Sequence, residues 1–505
     1  MEQNLLSILL CILLLFLVAK LLLRSRSSKK FPPSPPSLPF IGHLHHLKKP
    51  LHRTFLNLSQ RYGPIMSLRL GSRPVVIVSS LSAAEECFTK NDTVLANRAK
   101  LLTGKHLAYN CTTIPTSSYG DHWRNLRRIG AIEIFSSHRL NIFSELRKDE
   151  INRLLWKLSR NAAGDFSTVE VRSLFVDLTF NVMMRMIAGK RYYGEDAPDV
   201  EEARQFREMI RELTKYASTS YPGDFLPILR WIDYQGYQKR LVRLGEKADK
   251  FLQGLVDESR TRKSSFGNTN SMIDHLLSLQ ESEPECYSDQ MIKGLIQTLL
   301  LAGTDTSSVT LEWVLANVIK FPGVLKKARA EIDSQVGQDR LIDETDLPEL
   351  HYLQCIIYET LRLYTPVPLL LPHLSSEDCT LGGYHVPAHT IVMVNAWAIH
   401  RDPKQWQEPT SFVPERFEGI GNDDRHKLIL PFGMGRRACP GAPLAHRLIG
   451  LTMGVLIQCF DWDTEEELDM MENGGLTMPK AEPLRAMCKA RHVMRKIVNE
   501  SSTTS

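Results

Sequence analysis

The sequence predicts a mainly α-helical body with a small, separate β region. Three observations predict it. Helical spacing of apolar residues dominates the chain and is clearest from Ser288 to Lys320, SDQMIKGLIQTLLLAGTDTSSVTLEWVLANVIK. Strand-like patterning is confined to IMSLRLGSRPVVIVSS, from Ile65, and CTLGGYHVPAHTIVMV, from Cys379. The 505 residues are 43% hydrophobic and 24% charged, which is enough for one large buried core.

The chain opens with an apolar run from Leu5 to Leu23, interrupted only by Ser7 and Lys20. A helix of that length spans most of a roughly 30 Å hydrocarbon layer, with Lys20 snorkelling to the interface. A cleavable signal peptide is the rival, but the run is long and no small-residue cleavage site follows it. Arg24, Arg26, Lys29 and Lys30 follow the run and Glu2 precedes it, so charge asymmetry leaves the rest of the chain in the cytosol. Residues 1–24 are therefore expected to be a retained single-pass anchor. The sequons at Asn57, Asn91, Asn110 and Asn499 are then chance matches, because a cytosolic body never meets the glycosylation machinery.

Residues 25–42 form a basic, proline-rich hinge. Five prolines between Pro32 and Pro39 enforce an extended, semi-rigid spacer. Residues 43–500 carry no second linker, repeat or low-complexity block and read as one domain, with SSFGNTN from Ser264 as a surface loop. Ile65 to Ser80 reads as a two-stranded hairpin. Ser288 is placed to cap the long central helix, which Pro322-Gly323 ends.

Composition also excludes functions. A net charge of +5 is small for this size, and no array of basic and aromatic residues suggests nucleic acid. The nine cysteines are scattered and never form a CxxC pair, which speaks against a zinc site or a disulfide scaffold.

Three stretches carry chemistry. Inside the central helix, AGTDTSS gathers poor helix formers, and its hydroxyls can back-bond to carbonyls and bend the helix. Asp305 is costly there unless solvated or paired. Either this is a kink with a satisfied carboxylate, or it is a groove where a small ligand lies against Ala302 and Gly303 and a hydroxyl and a carboxyl relay protons. In LHYLQCIIYETLRLYTPVP, Glu359 and Arg362 stand three apart on one helix face among apolar neighbours. A buried pair needs further partners, and Arg416 in FVPERF is the candidate; this reads as a structural lock. PFGMGRRACPG, from Pro431, sets one cysteine among glycines, a proline and two arginines, a loop built to approach something flat and negatively charged.

Together these stretches resemble the cytochrome P450 family of membrane-anchored haem-thiolate monooxygenases. The family pattern F-x-x-G-x-R-x-C-x-G is met by Phe432, Gly435, Arg437, Cys439 and Gly441. AGTDTS resembles the oxygen-activation motif, ETLR the E-x-x-R, PERF the segment that completes the Glu-Arg-Arg lock, and WRNLRR the helix that reaches the haem propionates. The matches run in the family's order over essentially the whole chain. The resemblance implies that fold, with haem b between the long central helix and the cysteine loop, and Cys439 as thiolate ligand to the iron, an electron-rich ligand that favours O–O cleavage. It implies that Trp123, Arg127, Arg437 and His373 meet the propionates, although an arginine is common at the His373 position. It also implies that Asp305 and Thr306 deliver protons while dioxygen is split.

No flavin or nicotinamide fingerprint is visible, so the resemblance implies an NADPH-cytochrome reductase in the same membrane. Arg124, Arg128 and Arg436 are candidates for its docking face or are solvated charges and internal braces. The expected location is the endoplasmic reticulum membrane, facing the cytosol. Finer similarity points to the plant microsomal group of isoflavone hydroxylases and lignan-modifying oxidases, hence to a small apolar specialised metabolite. A phenolic such as an isoflavonoid or flavonoid is the first reading. A terpenoid substrate or oxidative ring closure is the second. A haem-binding protein without turnover is the third, and Thr306 with Asp305 speaks against it. Candidate pocket walls are Leu301, Ala302, Val367, Leu369, Leu370, Thr477 and Met478.

Overall fold

A computed structural model describes residues 30–162, 165–194, 200–217, 221–266 and 271–496. The expected anchor, residues 1–24, and the first part of the hinge lie outside the described residues. The longer helices are α1 (Leu51–Tyr62), α2 (Asp121–Ile129), α3 (Ser144–Asn161), α4 (Val171–Ala188), α5 (Val200–Ala217), α6 (Tyr237–Phe266), α7 (Met272–Ser282), α8 (Asp289–Lys320), α9 (Pro322–Gln335), α10 (His351–Leu363) and α11 (Ala442–Cys459).

The β region is small, as expected, but has three parts. Strands β1 (Ile65–Leu70) and β2 (Arg73–Val78) form the predicted hairpin. The segment from Cys379 supplies β5 (Cys379–Leu381), β6 (Tyr384–Val386) and β7 (Ile391–Val394), with β4 (His373–Leu374) just before it. Strand β7 lies parallel to β2 and antiparallel to β4, giving the order β1-β2-β7-β4, while β5 and β6 pair by themselves. A further sheet joins β3 (Ser167–Glu170), β9 (Arg485–Ala490) and β8 (Phe460–Asp463). Nothing in the sequence marks it, because these short strands alternate weakly and β3 pairs with β9 across roughly three hundred residues.

Helix α8 crosses the middle of the largest apolar cluster, packed by α4, α10 and α11. Its start is capped as predicted: the Ser288 hydroxyl accepts from the Met291 amide at 3.3 Å. At about 1.5 Å per residue it is about 48 Å long. It ends at Phe321, where Pro322 cannot donate to the helix, and the chain turns through 106° into α9. The hydroxyls of AGTDTSS do back-bond, Thr306 Oγ1 to the Ala302 carbonyl at 2.6 Å and Ser308 Oγ to that of Asp305 at 3.0 Å, yet the helix runs on unbroken. Gly303 is required by packing: a Cβ there would stand 2.8 Å from Met183 Sδ on α4. One expected loop is corrected: α6 continues through Ser264–Phe266, so the SSF of SSFGNTN is helical, and 267–270 lie outside the described residues.

Residues 32–42 run along β1. Pro33 O accepts from Ser67 N at 2.8 Å, and Ile41 O from Gly71 N at 3.1 Å. Among the described residues one helix, α11, is long and apolar enough to cross a membrane, and it is mostly buried in the body.

Candidate functional site

The cysteine loop is shaped by its glycines. Gly435 has φ +71°, and a Cβ there would stand 2.7 Å from both the Phe88 carbonyl and Asp92 Oδ1, so no other residue fits. The turn Gly435–Arg437 delivers Cys439, whose amide donates to the Phe432 carbonyl at 2.8 Å. Gly441 then caps α11, with Pro443 in its first turn. The Cys439 sulfur thus sits at a helix N-terminus, where the Gly441 and Ala442 amides point at it. Burial pushes its thiol up from the ordinary range, while those amides and the Arg127 guanidinium favour the charged form. The side chain is accessible although it lies deep in the molecule. The Phe432 ring packs against His446, with ring centroids 5.1 Å apart.

Around this loop stands a set of cations without anions. Arg437 donates to the carbonyls of Ala96 (2.7 Å), Ile114 (3.2 Å) and Ser117 (2.6 Å) and lies 4.2 Å over the Trp123 ring. Arg127 donates to Ala438 O at 2.9 Å, and buried Trp123 donates from Nε1 to Ile114 O at 3.2 Å. Arg98, absent from the sequence reading, is buried and donates to the carbonyls of Pro115, Leu371 and Pro372. None of these three guanidiniums has a carboxylate partner among the described residues. Burial first, and mutual repulsion second, lowers Arg98 to about 9 and Arg437 to about 10. Buried His373 donates from Nδ1 to the Leu95 carbonyl at 2.7 Å, which leaves Nε2 as the lone-pair nitrogen. Burial and the Arg98 charge hold its pKa well below the usual range. Such a cluster fits a ligand that carries its own carboxylates, and the accessible sulfur beside it fits a metal: haem meets both conditions.

Helix α8 supplies the other wall. Ala302 is accessible in the middle of this core helix, and Thr306 is half-buried one turn on. Phe135, Met183, Leu299 and Leu444 line one small cavity, which brings the Ala302 end of α8 next to the start of α11. Asp305 is largely buried, and that burial raises its carboxyl above the usual range; the polar Thr477 side chain and the charge of Arg172 oppose the shift.

A family comparison agrees with this geometry: the model described as Cytochrome P450 matches residues 32–485. The chain belongs to the cytochrome P450 family. It is 54% identical over 487 residues to an isoflavone 2'-hydroxylase of Medicago truncatula, covering 96% of this chain and 97% of that one. An isoflavone 3'-hydroxylase of the same plant is 56% identical over 480 residues, covering 93% and 95%. A (+)-piperitol/(+)-sesamin synthase of Sesamum radiatum is 50% identical over 495 residues, 97% of each chain. Among solved structures, a zebra fish cytochrome P450 with abiraterone superposes with a TM-score of 0.73 at 26% identity, over 88% of this chain and 100% of that one. This chain is accordingly a haem-thiolate monooxygenase that uses O2 and NADPH-derived electrons.

The remaining sequence candidates fall in three groups. Glu359 and Arg362 meet in a fully buried bidentate pair, at 2.7 and 2.8 Å, and Arg416 reaches Glu359 at 3.3 Å. Leu301, Val367, Leu369 and Thr477 are half-buried, and the Met478 amide donates to Pro366 O at 2.9 Å, so the segments after α10 and near the C-terminus adjoin. Met478 itself is 0% exposed, packed on Trp397 and Ala398, and Leu370 is buried in the core beside β2 and β7; both are core residues here and offer no free wall. Among the basic candidates, Arg124 pairs with Asp121, Arg128 Nη2 donates to Asn125 Oδ1 at 3.0 Å, and Arg436 lies 3.2 Å from Asp92.

Proposed function

We propose that this protein is a microsomal monooxygenase that hydroxylates a small plant phenolic, an isoflavonoid or flavonoid. The observation that supports the site reading is the accessible Cys439 sulfur at the N-terminus of α11, beside the buried Arg98 and the half-buried Arg127 and Arg437, none of which has a carboxylate partner among the described residues. The two hydroxylases, at 54% and 56% identity over nearly the whole chain, support the substrate class. Oxidative ring closure has no site observation of its own.

In this reading Cys439 holds the haem iron, and Arg98, Arg127, Arg437 and Trp123 hold its propionates by charge-assisted bonds. Neutral His373 could donate to a propionate only from a protonated Nε2, which burial opposes, so its part is to brace the cluster through Leu95. The haem, when bound, supplies the redox centre at which dioxygen is reduced. Thr306 and Asp305 move protons on the α8 side. Thr306 holds its hydroxyl on the Ala302 carbonyl, and burial raises the Asp305 carboxyl above its ordinary range, the direction that favours holding a proton. Glu359, Arg362 and Arg416 lock the structure behind the cysteine loop. Leu301, Ala302, Val367, Leu369 and Thr477 are left as pocket walls.

Residues 1–24 are proposed to anchor the protein in the endoplasmic reticulum membrane with the body cytosolic, next to an NADPH-cytochrome reductase. Support comes from an exposed apolar surface. Phe40 (89% exposed) and Leu38 lie by Gly71, and Gly71-Ser72 adjoins Phe225, which leads to exposed Ile228, Trp231 (86%) and Ile232. A patch of this kind fits a bilayer.

The test is turnover. Membranes carrying the protein and a plant reductase, given NADPH, are offered isoflavones, flavones and terpenoids. The proposal expects a product one oxygen atom heavier, with a substrate-induced spectral shift, from the phenolics. Turnover confined to terpenoids would overturn the substrate class. Protease treatment of intact microsomes should digest the body and spare the N-terminal run.

A further inference from the structure

The loop that carries Thr477 is clamped to α1. Glu472 and Lys480 face each other in an antiparallel bridge, the Asn473 amide donates to Pro479 O at 2.8 Å, and the Ala481 amide to Met471 O at 2.8 Å. Thr477 and Met478 lie inside the loop so closed. On one side the loop is bonded to elements of the pocket. Trp313 Nε1 of α8 donates to the Met478 carbonyl at 2.8 Å, and the Met478 amide donates to Pro366 O, next to Val367, at 2.9 Å. On the other side Glu472 holds it to α1. Arg53 donates from Nε to Glu472 Oε1 at 2.5 Å and from Nη2 to Oε2 at 2.7 Å, and buried His52 donates from Nε2 to Oε1 at 3.0 Å. Burial alone raises the Glu472 carboxyl, but the bonds from His52 and Arg53 override it and bring it down to about 2. Two further contacts follow the same seam. A Cβ at Gly474 would stand 2.9 Å from Pro50 Cβ, just ahead of α1, and Leu56 of α1 packs on the cluster of Met478, Trp397 and Ala398.

We propose that Glu472 is a positioning residue for the reaction: through His52 and Arg53 it fixes the 472–480 loop on α1, and so sets where Thr477 stands against the substrate and which ring carbon is hydroxylated. This rests on the reading of Thr477 as a pocket wall and of a phenolic as substrate. The loop has little stiffness of its own, since Gly474 and Gly475 leave its backbone free. Its place is therefore set by its two anchors. The Met478 bonds to Trp313 and Pro366 hold the far end, and the Glu472 ion pair holds the near end. Removing the ion pair leaves the far end in place, so the loop loosens and does not come away. A wall displaced by about 1 Å is enough to change which substrate atom lies nearest the reacting centre.

Glu472→Gln and Arg53→Ala test the clamp from its two ends. With an isoflavone as probe and rates taken per spectrally intact haem, Glu472→Gln should raise KM by about 3- to 10-fold, the weight of one lost hydrogen bond. It should also change the ratio of hydroxylated products, with kcat nearly unchanged. Arg53→Ala should move both in the same direction, Arg53→Lys, which keeps a cation at Glu472, should recover most of the effect, and the double variant should be no worse than Glu472→Gln alone. A purely structural tie gives a lower urea midpoint with KM and product ratio unmoved, and that result would overturn the proposal, as would full additivity in the double variant. Should Glu472→Gln not fold, Arg53→Ala is the milder probe, because the Arg53 side chain is 43% exposed and that of Glu472 only 6%. Independently of turnover, amide hydrogen exchange in residues 473–479 should quicken in Glu472→Gln, and unchanged exchange would also overturn it. Thr477→Ala separates the two readings. If it leaves KM and product ratio unchanged, the pocket-wall reading falls and the proposal with it; if it changes them while Glu472→Gln does not, the clamp alone falls.

Discussion

Replacing Glu359 by glutamine tests the lock where the structure makes the cost largest. The Glu359 carboxylate is 0% exposed and accepts four hydrogen bonds: Arg362 Nε at 2.7 Å and Nη2 at 2.8 Å, the Val413 amide at 2.9 Å, and Arg416 Nε at 3.3 Å. Arg362 is equally buried, and its other donors are bound to the carbonyls of His400, Pro409 and Ser411, so it cannot swing out to water. Glutamine keeps one acceptor, which Val413 can still use, but removes the charge and turns an NH2 group toward a guanidinium. Breaking such a pair by deleting one partner costs about 3–5 kcal/mol, against about 0.2–0.5 kcal/mol for the same i, i+3 pair on a surface. Because Val413 keeps its partner, about 3 kcal/mol is expected, roughly a 100-fold or greater fall in the folded-to-unfolded ratio. The assay is urea unfolding of the detergent-solubilised protein followed by near-UV circular dichroism, comparing midpoints at equal slope. Lys327→Ala, which breaks half-exposed pairs with Glu415 and Glu418, is the control and should cost less than about 1 kcal/mol. If Glu359→Gln costs no more than that control, burial of the lock is not what makes it matter.

Acid should destabilise the fold through His400. Its Nε2 accepts from the Leu430 amide at 2.7 Å and its Nδ1 faces Thr365 Oγ1 at 2.8 Å, while burial lowers its pKa to about 3. The unfolded chain binds this proton first, so stability is lost as pH falls from about 6.5 toward 3, by about 1.4 kcal/mol per unit, and His400→Gln should flatten the slope of urea midpoint against pH. Gly303→Ala should cost about 1–3 kcal/mol through Met183, with a coupling of about 0.5 kcal/mol or more to Met183→Leu in a double-mutant cycle. Thr306→Ala should keep the haem spectrum but divert NADPH to peroxide or water; tight coupling would take Thr306 out of the proton path.

How much of this was legible in the sequence depends on how local each signal is. The Ser288 cap, the Ile65–Val78 hairpin and the Glu359–Arg362 pair are set by residues two to four apart, where spacing carries the information. The cysteine loop was legible for the same reason, since its glycines, arginine and sulfur lie within a dozen residues. Arg98 was not: it is one arginine in LANRA, and its partners Pro115, Leu371 and Pro372 come from segments that only the fold brings near. Met478 and Leu370 read as walls because apolar residues beside a pocket and apolar residues beneath it look alike until burial is known.

The most direct test of the whole account is the reduced, carbon-monoxide difference spectrum of membranes carrying the wild-type chain and Cys439→Ala. The account predicts the strongly red-shifted Soret band of thiolate-bound haem in the wild type and its loss in Cys439→Ala, with the protein still membrane-bound. A wild-type band at the shorter wavelength typical of histidine-bound haem, or an unchanged band in Cys439→Ala, would contradict it.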